Sequence, residues 1–236
     1  MDLQKSDIKY RVEHNPAYGF LILDMKANQK VVVEAGGMAA MDSNISMKSK
    51  VRGGIGKGVG RMFGGESLFL SEFTANGTGG QLYISPGVPG DLKHYYLEPG
   101  RSLIIQSSGF VASGENVELD MEIQGLKGLV SGESLFLLRA KGQGDVWFSS
   151  YGAIIEIDVP QNYVVDTGYI VAFEDTLEYN VEILGGLSFR NLKTSIFGGE
   201  GLVCRFSGQG KLWIQSRNLD PLLNFLHPFR PLKNNN

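Results

Sequence analysis

The amino-acid sequence predicts an all-β domain built from three structural repeats and followed by a short C-terminal helix. Three observations predict it: dispersed glycine among Val, Ile, Phe and Tyr, apolar–polar alternation in short segments, and landmarks that return in a fixed order. Of 236 residues, 32 are glycine, about twice the usual share of roughly 7%. Glycine spread in this way suits many short strands joined by tight turns. A hydrophobic fraction of 42%, with 13 Phe, is enough for a substantial core.

The landmarks carry the repeat. "GGESLFL" (64–70) returns as "SGESLFL" (131–137) and as "GGEGLVC" (198–204), which places Glu66, Glu133 and Glu200 67 residues apart both times. A second landmark follows each: "GGQLYI" (79–84), "QGDVWF" (143–148) and "QGKLWI" (209–214), with a fainter relative, "YGFLIL", at 18–23. The third is an apolar run, an acid, any residue and glycine: "VVVEAGG" (31–37), "YYLEPGR" (95–101) and "YVVDTGY" (163–169), carrying Gly36, Gly100 and Gly168. The period exceeds that of common solenoid repeats, so each copy is expected to hold several strands.

Individual elements follow from local pattern. "ELDMEI" (118–123) and "EYNVEI" (178–183) alternate apolar and polar residues, the mark of a strand with one buried face. "SLIIQ" (102–106) and "AIIEIDV" (153–159) are β-branched and bounded by turn residues. Asn76-Gly77 and the Gln-Gly pairs suit hairpin turns that need positive φ. "GLSFRNLKTSIF" (186–197) could hold a helical turn. In "NLDPLLNFLH" (218–227), Asp220 is the expected N-cap, with Pro221 opening the helix.

These elements predict one domain over residues 1–216, with repeats at about 18–78, 79–142 and 143–208, and a tail over 217–236. Three equal units can sit about a pseudo-threefold axis, each burying an apolar face against its neighbours. The strand at 209–216 is then expected to pair beside the first unit and close the ring, removing an exposed edge.

The order "EAGGMAAMD" (34–42), a basic Gly-rich stretch and "FGGESLFL" (63–70) resembles the altered-inheritance-of-mitochondria protein twenty-four family, over roughly residues 8–216. The resemblance implies a fold like tryptophan RNA-binding attenuator protein, with short double-stranded β-helix or β-sandwich units repeated three times. Its functional implication is thin. Mitochondrial members are linked to inner-membrane organisation, and the family was long carried as a domain of unknown function.

"RGGIGKGVGRMFGGES" (52–67) invites a nucleotide-loop reading, which its spacing refuses. A phosphate-binding P-loop would need Gly where Val51 stands, and Gly58 occupies the hydroxyl position after Lys57. The dinucleotide pattern fails at Val59 or at Arg61. The glycines are therefore expected to serve turns and close strand approach. The charge is a separate matter: Lys48, Lys50, Arg52, Lys57 and Arg61 fall within fourteen residues that contain no acid. With backbone N–H groups they could bind phosphate of RNA or of an acidic lipid surface.

Other reactive side chains point to structure. Glu66, Glu133 and Glu200 are expected at strand entries, bonding turn backbone. Cys204 occupies the position of Leu70 and Leu137 and reads as core. His14, His94 and His227 are dispersed, with no metal-ligand spacing. Trp147 and Trp213 match Tyr83 and read as core or interface aromatics. No cofactor, metal or catalytic residue is expected. The net charge of −3 argues against a surface wholly shaped for nucleic acid. A single cysteine allows no internal disulfide, and no apolar run reaches the length of about 18 residues that a membrane span needs. The resulting expectation is a cytoplasmic, non-catalytic binding or scaffold module that forms homo-oligomers, with its apolar tail docking inside the assembly. Anion binding through residues 48–61 is the alternative, and an enzyme of unrecognised type the second.

Overall fold

The computed structural model describes residues 5–51, 69–122, 136–183 and 202–229. Its strands form four sheets, and every pairing between them is antiparallel. The first sheet has the order β1 (Lys9–Glu13), β2 (Phe20–Met25), β7 (Gly80–Ile84) and β4 (Met38–Met41). The second runs β5 (Ile45–Val51), β6 (Phe69–Ala75), β3 (Lys30–Glu34), β10 (Phe110–Gly114), β13 (Gly144–Ser149) and β8 (Leu92–Leu97). The third runs β11 (Val117–Glu122), β12 (Leu137–Gly142), β9 (Ser102–Gln106), β16 (Ile170–Glu174), β19 (Gly210–Gln215) and β14 (Ile154–Val159). The fourth holds β15 (Tyr163–Asp166), β18 (Leu202–Gly208) and β17 (Leu177–Ile183). Among the described residues one α-helix, α1 (Leu219–Leu226), follows.

The segments expected from alternation and β-branching are strands: β11 and β17 from the alternating runs, β9 and β14 from the branched ones. Turn chemistry behaves as the residue types require. Gly77 has φ +62°, and the Gly79 N–H donates to the Asn76 carbonyl at 3.3 Å across the β6–β7 turn. Tyr83, Trp147 and Trp213 do occupy matching places, opposite Ala40, Ala112 and Ala172 respectively. In all three pairs the register slips just before that alanine.

Pairing corrects two sequence expectations. First, β19, at 209–216, lies between β14 and β16 and does not pair with any strand of the first 78 residues. In the same way β7 lies between β2 and β4, and β13 between β8 and β10. These strands therefore complete the group of strands before them, and "YGFLIL" is the pairing partner of "GGQLYI". Second, Gly100 is not the counterpart of Gly36 and Gly168. Gly36 follows β3 and Gly168 follows β15, whereas Gly100 sits in the turn from β8 to β9; the segment following β9 is Ser107–Gly109. An acid followed by glycine suits any tight strand-ending turn, so it marks this earlier turn as well. Gly36 and Gly100 both take positive φ, +88° and +78°. Gly168 instead lies in a 3-10 turn, its N–H donating to the Asp166 side chain at 2.8 Å.

The interior holds three buried clusters. One buried cluster lies between the first and second sheets, with Leu21, Val33, Phe73, Leu82 and Trp147. A second joins strands of the second and third sheets around Phe110, Phe148 and Trp213. A third, around Phe173, Phe206 and Leu212, lies between the third and fourth sheets. The clusters communicate through sheets that run from one to the next.

The helix is present, with a different cap. The Asn218 side chain accepts the Asp220 N–H at 3.1 Å, so Asn218 is the N-cap and Leu219 opens the helix. The helical turn expected in 186–197 lies outside the described residues. Phe206 is fully buried and packs edge-on against Phe173 at 5.0 Å. Phe206→Ala is expected to lower unfolding free energy by about 3–5 kcal/mol, read by urea denaturation.

Candidate functional site

The sequence-selected cations are only partly within view. Lys48 lies exposed on β5, opposite Glu72 of β6, and Lys50 follows two residues on, opposite Leu70. Arg52, Lys57 and Arg61 lie outside the described residues, as do Glu66, Glu133 and Glu200. Cys204 is buried in the third cluster, opposite Val165 of β15. Burial pushes its thiol up to about 12, so at neutral pH it is a thiol packed as an apolar group.

A polar cluster that the sequence did not disclose lies at the first core. His94 on β8 stands directly opposite Trp147 on β13, and two residues along that strand is Asp145. The His94 Nε2 lies 2.7 Å from Asp145 Oδ1, with both side chains almost wholly buried. The other carboxylate oxygen of Asp145 accepts the backbone N–H groups of Asp7 and Ile8 at 2.9 and 2.8 Å. The Tyr10 and Trp147 rings lie tilted against the His94 imidazole, with centroids at 4.5 and 5.3 Å. Burial, with the Asp145 charge in support, raises the Tyr10 hydroxyl above its ordinary pKa. An Asp–His pair is two parts of a nucleophilic triad. Here both Asp145 oxygens are engaged in tying the N-terminal segment to β8 and β13, a fastening role. No sequence signal brings residues 51 positions apart together, because the contact is made by strand register.

A second cluster lies on the third sheet. Glu156 of β14 faces Trp213 of β19, whose indole N–H donates to it at 2.9 Å. The ammonium groups of Lys211 and Lys93 also bond to this carboxylate. Burial alone would raise the carboxyl, but hydrogen bonds from Lys211, Lys93 and Trp213 prevail and hold it at about 2. Lys93 comes from the second sheet, so Glu156 links two sheets.

The remaining distinctive surface is apolar. Helix α1 buries none of its residues, leaving Leu219, Leu222, Leu223, Phe225 and Leu226 exposed. Exposed Met38 and Met41 lie on β4, and Tyr163 and Val164 on β15. Among the described residues no group of His, Cys, Asp and Glu is arranged to hold a metal ion, and no helix is long and apolar enough to cross a membrane.

Comparison with known proteins agrees with this architecture. Residues 10–217 match the family described as Mitochondrial biogenesis AIM24. An uncharacterized protein of Streptococcus pyogenes serotype M6 is 27% identical over 239 residues, covering 97% of this chain and 93% of that protein. The crystal structure of a Streptococcus pyogenes protein superposes with a TM-score of 0.78 at 25% identity, covering 94% of this chain and all of the other.

The Glu156 cluster has a definite pH dependence. A carboxyl depressed in the folded state stabilises the fold above its unfolded value, near 4.5, and that contribution is lost as pH falls toward 2. Glu156→Gln is therefore expected to melt below the wild type at pH 7, with the gap narrowing progressively below pH 4. Thermal melts across that range check it.

Proposed function

The chain belongs to the Mitochondrial biogenesis AIM24 family, and from that premise we propose a non-catalytic scaffold module that assembles with copies of itself in the cytoplasm. The observation that carries the reading is apolar surface left uncovered by the described chain: the whole of α1 and the exposed residues of β4 and β15. Exposed apolar side chains in such density mark a protein contact. The non-catalytic part is supported by the burial of the His94–Asp145 pair, whose side chains are both almost wholly closed to solvent.

The reading includes three copies of one β unit. Its support is the recurring register of Tyr83, Trp147 and Trp213 against Ala40, Ala112 and Ala172. The pairing favours unit limits near 9–84, 92–149 and 154–215, each ending on one of those aromatic strands.

Anion binding is the second reading. It rests on the five cations of residues 48–61, of which Lys48 is exposed on β5. Phosphate contacts of this kind weaken as salt rises.

Each reading has its own measurement. Sedimentation velocity across a concentration series should show the full chain passing from monomer to larger species; a monomer at every concentration overturns the scaffold. For the second reading, binding to RNA or to anionic vesicles should fall steeply with salt and be lost when Lys57 and Arg61 are both changed to Gln. Absence of binding at low salt overturns it.

A further inference from the structure

Two strand pairings hold successive parts of the chain together: β3 with β10, and β9 with β16. In the first, Ala112, Ser113 and Gly114 face Val33, Val32 and Val31. In the second, Ala172, Phe173 and Glu174 face Ile105, Ile104 and Leu103. The two joints share one plan, an alanine opposite a β-branched residue followed by two further pairs.

Each joint uses a strand of one kind on each side. Strand β10 flanks β13 on its Ala112–Trp147 pair, β16 flanks β19 on Ala172–Trp213, and β4 flanks β7 on Ala40–Tyr83. On the other side, β3 flanks β6, β9 flanks β12 and β15 flanks β18. Strands β4 and β15 are thus the two halves of a third joint, and they stand at the free edges of the first and fourth sheets. Among the described residues neither has a second strand partner.

Burial shows what the third joint would cover. Val32 and Ile104, at the first two joints, are 7% and 1% exposed, while Val164, at the matching place on β15, is 41% exposed. Phe110 and Ile170 are fully buried; Met38, their counterpart on β4, is 36% exposed. Edge chemistry agrees. The other six edge strands each contain at least one Lys, Arg, Asp or Glu, the usual protection of an edge. Strand β4 reads "MAAM", with none, and β15 reads "YVVD", with only its last residue charged.

We propose that β15 of one copy pairs antiparallel with β4 of the next, placing Ala40 opposite Val165, Met41 opposite Val164 and Asp42 opposite Tyr163. The partner is a second copy of this chain, because the missing half of each edge is carried by the chain itself, on the first and fourth sheets, where the two are not paired with each other. The contact is head-to-tail, and such contacts build rings when the rotation closes and filaments when it does not. Helix α1 starts close by: a Cβ on Gly168, two residues past β15, would meet the Asn218 cap. The inference rests on the reading of the chain as a self-assembling module and specifies its interface.

The test uses two full-length variants, Val164→Lys and Met41→Lys, both at exposed positions, with thermal melts to confirm folding. Each alone should weaken self-association at least tenfold in sedimentation velocity. Mixed in equal amounts they should form a one-to-one heterodimer that grows no further, because the intact β4 of one meets the intact β15 of the other, while the remaining edges both carry lysine. If the wild type associates and the variants associate equally well, the joint is wrong and the scaffold reading stands. If both variants dissociate and mixing restores nothing, the head-to-tail arrangement is overturned. A wild type that stays monomeric throughout removes both.

Discussion

Backbone pairing at the edges of sheets is the constraint on which this structure depends. An internal strand has its N–H and C=O groups satisfied on both sides, and a chain with one short helix among its described residues has little else with which to cover an edge. The β3–β10 and β9–β16 joints meet that need twice, turning what would be short sheets into two of six strands. Because those sheets have apolar residues on both faces, each contributes to two cores. Val32 of β3 faces the second cluster while Val31 and Val33 face the first. The division of the interior into three clusters is a direct result of that alternation.

Polar ties supplement the sheets where elements would otherwise be held by packing alone. The N-terminal segment is fastened by Asp145 through two backbone N–H groups, and the same carboxylate bonds His94 in the interior. A buried carboxylate is tolerated only when its oxygens are well satisfied, and here three donors converge on it. Glu156 performs a similar task nearer the surface, binding Lys93 of the second sheet and Lys211 of its own. Both clusters use residue types that often signal catalysis. Their geometry joins elements distant in sequence.

Much of the local structure was legible in the residues. The Tyr83, Trp147 and Trp213 correspondence survives in the strand register, Cys204 lies in the core, although register matches it to Ser71 and Leu138 and not to Leu70 and Leu137, and Asn76-Gly77 makes a turn. Landmark assignment failed where one motif served two turns, as in "YYLEPGR", whose glycine belongs before β9. Either Asn218 or Asp220 can accept a helix N–H, and the structure has Asn218 accepting the N–H of Asp220. The glutamates and most of the basic loop lie outside the described residues, so the candidate anion site stands where the sequence left it.

What the sequence determined by itself is the inventory of strands: alternation, β-branching and glycine act over a few residues and depend little on the rest of the chain. Which strands become neighbours was decided only in three dimensions. The segment at 209–216 illustrates the difference, since its pattern identifies a strand yet is equally compatible with pairing to the first unit or to β14 and β16. Hydrogen-bonding edges are chemically alike along the backbone, so selection among them comes from side chains packed on both faces, contributed by residues far apart in the chain. The His94–Asp145 contact and, among the described residues, the unpaired edges of β4 and β15 arise from that selection.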